Sequence, residues 1–406
     1  MKRVIPTLAL ACLIAAPRAL HAQAGDRALD IGPNRTGLSI GDSREWTGVR
    51  LNYRDSRLRR VRGVNATIWR PYDGGHGDVM GLALGVPLTG GRNVQGIQVA
   101  AGIEATDELG GVGISLLGMG AGERVWGIML AGLGVGSGGD LRGIVAAGIG
   151  AGAGGDARGV VLGGVGAGVA GDVRGLVVGG LGAGAGGSLR GIGVGGVGFG
   201  VAGEVEGAMV GGVGVAAGGG GSGLLVGGIG AGVGGDFEGV AIGGVGLGSG
   251  GDLRGVSVAG IGTGAGGRIS GVHVAGAGIA SGGGLSGIFA SAGGVGSGGT
   301  VKWVALAGLG VGAPRIEGVA VGGLGVGGRD LNGLMLAGAT VRVVEDGMLR
   351  GVGVSAVNYI QGTQRGLTVG IVNYTRRLSG VQLGLINIVR ENPAGRVVLP
   401  VVNWGK

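Results

Sequence analysis

Glycine recurs every sixteen residues through the middle of this chain. The twelve periodic glycines are Gly111, Gly127, Gly143, Gly159, Gly175, Gly191, Gly207, Gly223, Gly239, Gly255, Gly271 and Gly287. A short period kept over this length indicates one small structural unit stacked many times. The period therefore predicts an architecture, whereas it says nothing about a ligand.

The composition excludes two common explanations for so much glycine. Glycine supplies 114 of the 406 residues, but it does not fall at every third position and there are only 8 prolines, so the chain is not collagen-like. The residues between the glycines are mostly Val, Ile, Leu and Ala, which are not typical of a flexible linker. The composition predicts a folded chain with a thin core of small aliphatic side chains.

The repeat has an internal pattern when its positions are numbered 1 to 16 with the periodic glycine at position 4. In residues 172–187, and in most of the other repeats, positions 2, 5, 7, 10 and 12 are apolar and are predicted to point inward. The alternation shifts phase near positions 8 and 9, which predicts two short strands joined by a corner. Position 11 is the residue seven places after the periodic glycine. It is Gly182 in one repeat and Asn358 or Asn373 in late repeats. Both residue types tolerate positive φ, so position 11 is predicted to form the corner.

These features predict an all-β fold, a Gly-rich tandem-repeat parallel β-solenoid with about sixteen residues per rung. The alternative is a closed antiparallel β-barrel with one strand per repeat. A barrel in an outer membrane needs strands of about 9–11 residues and aromatic girdles. Between residues 127 and 288 the only residues that could form such a girdle are Phe199 and Phe237, which favours the solenoid.

The first 24 residues are predicted to be a secretory signal peptide. Lys2 and Arg3 precede an apolar stretch at residues 5–16, and alanines at 22 and 24 form a small-x-small cleavage site. The only cysteine, Cys12, lies inside this segment, so cleavage would leave a chain without disulfides or Cys-ligated metal. The prediction is export to the cell surface, periplasm or outer membrane of a bacterium.

Net positive charge is confined to one part of the predicted mature chain. Residues 25–70 contain ten arginines and five acidic residues, whereas residues 71–406 contain nineteen charges of each sign. We therefore divide the chain into an Arg-rich N-terminal cap at 25–70, a repeat array at 71–388 and a C-terminal cap at 389–406.

The arginines of the N-terminal cap are the candidate binding residues. Arg57, Arg59, Arg60 and Arg62 are candidates for contact with an anionic surface, either envelope polysaccharide or anionic lipid, and membrane association is compatible with this. The alternative is a solvated capping segment with no ligand. Nucleic acid is not expected as a partner, because basic and aromatic residues are not interleaved.

The other polar features predict no chemistry. An Asp-x-Arg pair recurs at position 1 and 3, as in Asp140 and Arg142, and one carboxylate per rung is too few for calcium. We expect Asp to start a turn and Arg to offset the charge of stacked neighbours. His273 is expected to be a surface side chain. No catalytic, cofactor-binding or metal-binding residue is predicted, and the chain is not expected to be an enzyme.

The late repeats carry a recognisable motif. Residues 351–358 (GVGVSAVN), 366–373 (GLTVGIVN) and 380–387 (GVQLGLIN) resemble the GLxxGxxN repeats of a family of exported bacterial surface-repeat proteins. The resemblance implies a cell-envelope location, and the family's biochemical role is undefined. The predicted function is therefore an exported, non-enzymatic structural or adhesive repeat protein of the bacterial envelope. The alternative is an outer-membrane β-barrel acting as a pore or channel.

Overall fold

A computed structural model of the protein describes residues 27–69, 71 and 76–405. The predicted signal peptide, including Cys12, lies outside the described residues, as does Lys406. The described residues form β-strands and turns and contain no helix. They separate into two compact units, the first ending at Gly195 and the second beginning at Gly196.

The described residues of the first unit form fourteen strands. They are β1 (Arg27–Ile31), β2 (Thr36–Asp42), β3 (Glu45–Arg54), β4 (Arg60–Trp69), β5 (Asp78–Ala121), β6 (Arg124–Ala131), β7 (Gly134–Ser137), β8 (Asp140–Ala147), β9 (Gly150–Ala153), β10 (Ala157–Gly163), β11 (Gly166–Val169), β12 (Val173–Gly179), β13 (Gly182–Ala185) and β14 (Leu189–Gly195). From β6 onward, a strand of seven or eight residues alternates with one of four.

The second unit continues the same alternation before its strands lengthen. They are β15 (Gly198–Val201), β16 (Val205–Gly211), β17 (Gly214–Ala217), β18 (Gly221–Gly227), β19 (Gly230–Val233), β20 (Phe237–Gly243), β21 (Gly246–Ser249), β22 (Leu253–Ala259), β23 (Gly262–Ala265), β24 (Arg268–Ala275), β25 (Gly278–Ser281), β26 (Gly284–Ser291), β27 (Gly294–Ser297), β28 (Thr300–Ala307), β29 (Gly310–Gly312), β30 (Arg315–Gly322), β31 (Gly325–Ala337), β32 (Thr340–Val354), β33 (Val357–Val369), β34 (Val372–Val389) and β35 (Val398–Gly405).

Within each unit, the strands of the repeats pair in parallel with their counterparts one repeat away. Strand β10 lies between β8 and β12, with Gly159 opposite Gly143 and Gly175. The short strand β11 lies in the same way between β9 and β13. The predicted parallel β-solenoid with about sixteen residues per rung is confirmed, with about 21 turns. The alternative barrel was wrong, because each repeat forms two strands and neighbouring rungs run parallel.

The first and last described strands reverse direction. Strand β1 pairs antiparallel with β2, and β35 pairs antiparallel with β34. Parallel pairing begins between β2 and β3, so rungs already occur within residues 36–69. In β35, Pro400 removes one backbone donor, as is common in edge strands.

The periodic glycine forms a bend in the longer strand, and this explains the period. The φ angle is +117° at Gly143 and +131° at Gly175. A Cβ atom on Gly175 would lie 2.1 Å from the carbonyl oxygen of Gly159 in the preceding rung. Glycine is thus required both by backbone conformation and by space. The exception is Trp303, which has φ +85° and is 70% exposed.

The predicted inward set was right at positions 2 and 12 and wrong at positions 5, 7 and 10. Leu141 at position 2 and Val145 at position 6 are fully buried, whereas Ile144 at position 5 is 45% exposed. Positions 2, 6, 8, 12 and 14 point inward. Both faces of the longer strand carry apolar side chains, so hydrophobicity alone did not distinguish the inner from the outer face.

Position 11 is not a corner, contrary to the prediction. Gly182 lies in the short strand β13 and is not among the residues with positive φ. Asn358 pairs with Val341, which is fully buried. Asn358 therefore belongs to a column that points inward, and it does not continue the glycine column of position 11, which points outward. The late rungs have one residue fewer between the periodic glycine and the second strand. Counting from the glycine therefore placed the asparagines one column too early.

Candidate interaction surfaces

An ordered aliphatic surface covers the outer side of the longer strands. In the second unit it consists of position 5 and 7 side chains, together with position 10 side chains in the following turn. These residues are Leu224, Val240, Ile242, Val256, Val258, Val272, Val274, Ile288 and Leu306, with Val197, Val213, Ile229, Val245, Ile261, Leu309 and Leu324 in the turns. We call this surface the aliphatic face. Each of its members is at least 36% exposed.

The first unit carries the same surface in its own rungs. Its members are Ile97, Val99, Val112, Ile114, Ile128, Leu130, Ile144 and Ile192, with Leu117 at position 10 within β5 and Leu133, Ile149, Val165 and Leu181 in the turns. Scattered apolar side chains are normal on protein surfaces, but large contiguous patches mark interaction sites. In each unit, exposed aliphatic side chains therefore recur at the same positions of successive rungs.

The outer side of the short strands is bare by contrast. Positions 11 and 13 are mostly glycine, and a Cβ atom on Gly168 or Gly248 would meet nothing within 4 Å. Neither residue has positive φ. Glycine here is required by neither space nor backbone conformation, unlike the glycine at position 4.

The four candidate arginines lie on the surface of the first unit. Arg60 and Arg62 point outward from β4, and Arg57 and Arg59 lie in the loop before it; all four are exposed. Arg59 lies 3.9 Å from Glu45. Arg60 and Arg62 also line a hollow of about 230 Å³. The structure thus brings Arg60 and Arg62 together at one hollow and places Arg59 beside Glu45, which lines the same hollow, whereas Arg57 is exposed in the preceding loop.

The same strands carry an apolar groove. It has a volume of about 560 Å³, and Leu51 of β3, Ile68 of β4 and Val86 of β5 contribute to its lining. Its size is typical of small-molecule sites, which are mostly apolar with a few polar groups. The sequence analysis missed this groove, because its residues are far apart in the chain and meet only when rungs stack.

One arginine of the N-terminal cap is buried and therefore cannot contact an external partner. Arg50 is fully buried, and its guanidinium donates to Asp55, to Asn65 Oδ1 at 2.8 Å and to Asp42 Oδ1 at 3.2 Å. Arg50 occupies position 6 of its rung, which points inward. Arg50 and the two carboxylates that it contacts, Asp42 and Asp55, are therefore all buried and do not belong to the basic surface.

The repeated aspartates have a structural role. Asp172 Oδ1 accepts a hydrogen bond from the backbone N–H of Ser188 at 2.8 Å, one rung later. Asp252 does the same for Arg268, and its other oxygen lies 3.0 Å from Arg254 of its own rung. These bonds hold the pKa of the Asp252 carboxyl below its usual value, chiefly through the Arg268 backbone. The carboxylates thus satisfy turn N–H groups between rungs.

A local loss of this pattern leaves an acidic hollow. The rung at residues 220–222 lacks both the Asp and the Arg, and the hollow there has a volume of about 590 Å³. Glu204, Glu206, Asp236 and Glu238 line it. Among the described residues, no group of His, Cys, Asp or Glu side chains is placed to hold a metal ion.

His273 lies in the core, so its predicted surface location was wrong. It occupies position 6, is fully buried, and stacks on Phe289 with ring centroids 5.5 Å apart. Its Nδ1 lies 2.7 Å from Ser257 Oγ, while its Nε2 has no hydrogen-bond partner among the described residues. Burial lowers the pKa of His273, although a backbone hydrogen bond at Ser270 opposes this.

This burial predicts acid sensitivity. Below the unfolded-state pKa of about 6.5, the unfolded chain takes up a proton that folded His273 resists, so stability should fall as pH drops from 7 to 5.5. The loss is at most about 1.4 kcal/mol per pH unit. Melting curves at the two pH values should show it for the wild type, and His273→Phe should remove it. The exposed His76 gives the control, since His76→Gln should retain the sensitivity. Equal acid sensitivity in His273→Phe and wild type would contradict this assignment.

A ladder of buried amides runs through the late rungs. Asn358 Nδ2 donates to Asn373 Oδ1, and Asn373 Nδ2 donates to Asn387 Oδ1, both at 2.7 Å. All three side chains are fully buried. The asparagine at the end of each GLxxGxxN-like motif thus links one rung to the next.

Comparison with protein-family models, with curated proteins and with solved structures gave no match. The described residues include no helix with the length and hydropathy of a transmembrane helix.

Proposed function

We propose that this chain is an exported, non-enzymatic structural or adhesive repeat protein of the bacterial cell envelope. The observation that carries the proposal is the aliphatic face, which each unit repeats rung after rung. A stacked fold that displays the same outer side chains many times suits contact with an extended partner rather than with a single small molecule.

Two features of the sequence support an envelope location. Residues 1–24 have the pattern of a secretory signal. Residues 351–387 resemble the GLxxGxxN repeats of exported bacterial surface proteins, and their asparagines form a buried ladder that stabilises stacking. Fractionation of cells that express the tagged chain tests the location. Recovery in the cytoplasm would contradict it.

The arginine surface is the proposed contact with anionic envelope components. Arg60 and Arg62 are exposed on β4, the strand that also contributes Ile68 to the apolar groove. A basic surface and an apolar groove on one strand suit the headgroup and acyl chain of an anionic lipid. Anionic envelope polysaccharide would use the arginines alone.

The experiment replaces Arg57, Arg59, Arg60 and Arg62 by glutamine and measures binding to phosphatidylglycerol vesicles and to isolated envelope polysaccharide. Each arginine near an anionic membrane contributes about 1 kcal/mol, so we expect binding to weaken at least tenfold and to lose most of its salt dependence. The control removes four exposed arginines of the repeats: Arg142, Arg158, Arg174 and Arg254. Equal binding by the two variants would overturn the assignment to the basic surface.

A further inference from the structure

The aliphatic face is larger than an isolated soluble protein normally exposes. A Val, Leu or Ile side chain has about 60–120 Å² of apolar surface to bury. The sixteen members of the face in the second unit are 36–60% exposed, so they leave on the order of 700 Å² uncovered. The largest apolar patch on a typical monomer is about 300–600 Å². The first unit exposes a similar set by itself.

The size of the face matches what a stable dimer needs. Each partner in a standard protein interface contributes about 800 Å². The members of the face recur in register, as Val240 pairs with Val256 and Ile242 with Val258 in adjacent strands. Adjacent strands lie about 4.7–4.9 Å apart, so the face consists of ridges and furrows with one fixed spacing. A second copy carries the same spacing, and its ridges can lie in these furrows.

The charges beside the face also favour a second copy. Positions 1 and 3 border it with acidic and basic side chains, such as Asp252 and Arg254, which pair with each other at 3.0 Å. Residues 71–406 carry nineteen charges of each sign, so this part of the chain has no net charge that would oppose the approach of a second copy. An anionic membrane would instead favour an apolar face bordered by an excess of Lys or Arg.

We propose that two copies of this chain associate through their aliphatic faces, with the side chains at positions 5 and 7 packed between the two solenoids. The interface is isologous, because the same surface serves both partners. The members of the face begin at Ile97, in rungs that follow the one carrying Arg60 and Arg62, so this inference does not depend on lipid or polysaccharide binding.

Sedimentation velocity of the purified full chain tests the association. The wild type should sediment as a dimer or larger species at micromolar concentration. Replacing Ile242 and Val274 by lysine places two charges on the face two rungs apart, and should weaken association at least tenfold. Circular dichroism and the melting temperature establish whether this variant still folds.

The matched control places the same two charges, with the same spacing, on the bare outer side of the short strands. Gly232 and Gly264 have ordinary φ, and a Cβ atom there meets nothing closer than 3.8 Å. Replacing both by lysine should leave the association unchanged. A monomeric wild type, or equal dissociation of the two variants, would overturn the proposal. A monomer that binds neutral phosphatidylcholine vesicles through Ile242 and Val274 would assign the face to lipid instead.

Discussion

Replacing Gly175 by alanine should destabilise the first unit by about 3 kcal/mol or more. Gly175 has φ +131°, and an added Cβ atom would lie 2.1 Å from the carbonyl oxygen of Gly159. The added atom therefore meets backbone of the preceding rung, which moves only if the parallel pairing between β10 and β12 opens. The measurement is a melting curve, together with protease cleavage near the altered rung.

The matched control for this change is Gly168→Ala in the same region. Gly168 lies in β11 with ordinary φ, and an added Cβ atom there would meet nothing within 4 Å. Alanine in a strand interior is more favourable than glycine by roughly 0.5–1 kcal/mol, so the control should melt at the same temperature or slightly higher. Similar losses at the two positions would show that glycine is needed throughout the rung, and not specifically at the bend.

Replacing Asn373 by aspartate should destabilise the second unit by about 3–5 kcal/mol at neutral pH. Asn373 Nδ2 donates to Asn387 Oδ1 at 2.7 Å and to the Leu383 carbonyl at 2.9 Å. An ionised carboxylate has the same shape but no donor, so it would face both acceptors as a buried, unpaired charge. Protonation restores one donor, and the variant should therefore gain stability between pH 7 and pH 5.

The control for the ladder is Asn332→Asp. Asn332 is half-buried at an outward position of β31, so a charge there stays in contact with water. Its melting temperature should change by an amount typical of a surface substitution, within about 0.5 kcal/mol. If the Asn332 and Asn373 variants lost equal stability, the ladder would not be the source of the effect.

The sequence determined the architecture because a single steric constraint repeats. The glycine at position 4 bends the chain against the carbonyl of the preceding rung, so each rung needs glycine at the same place. Stacking in register turns that requirement into a fixed period, and the period predicted the parallel solenoid. Trp303, which interrupts the glycine column, keeps positive φ because its neighbours in the sheet impose it.

Only the tertiary structure decided which side chains point inward. Val145 and Ile144 are adjacent and both apolar, yet the first is fully buried and the second is 45% exposed. His273, polar by type, lies in the core at the same position as Val145 in its rung. A strand that is apolar on both faces has no periodicity that separates core from surface. The sequence pattern therefore could not predict which of its apolar side chains form the exposed aliphatic face.

The candidate binding residues were likewise identified partly from the sequence and partly from the tertiary structure. Sequence alone located the exposed Arg57, Arg59, Arg60 and Arg62, because clustered like charges stay in water. It did not identify the burial of Arg50, whose partners Asp42 and Asn65 come from different rungs. Local patterns fix what one rung must contain. Contacts between residues about fifteen positions apart arise only when rungs stack, and these contacts decided the polar core, the amide ladder and the surfaces left for a partner.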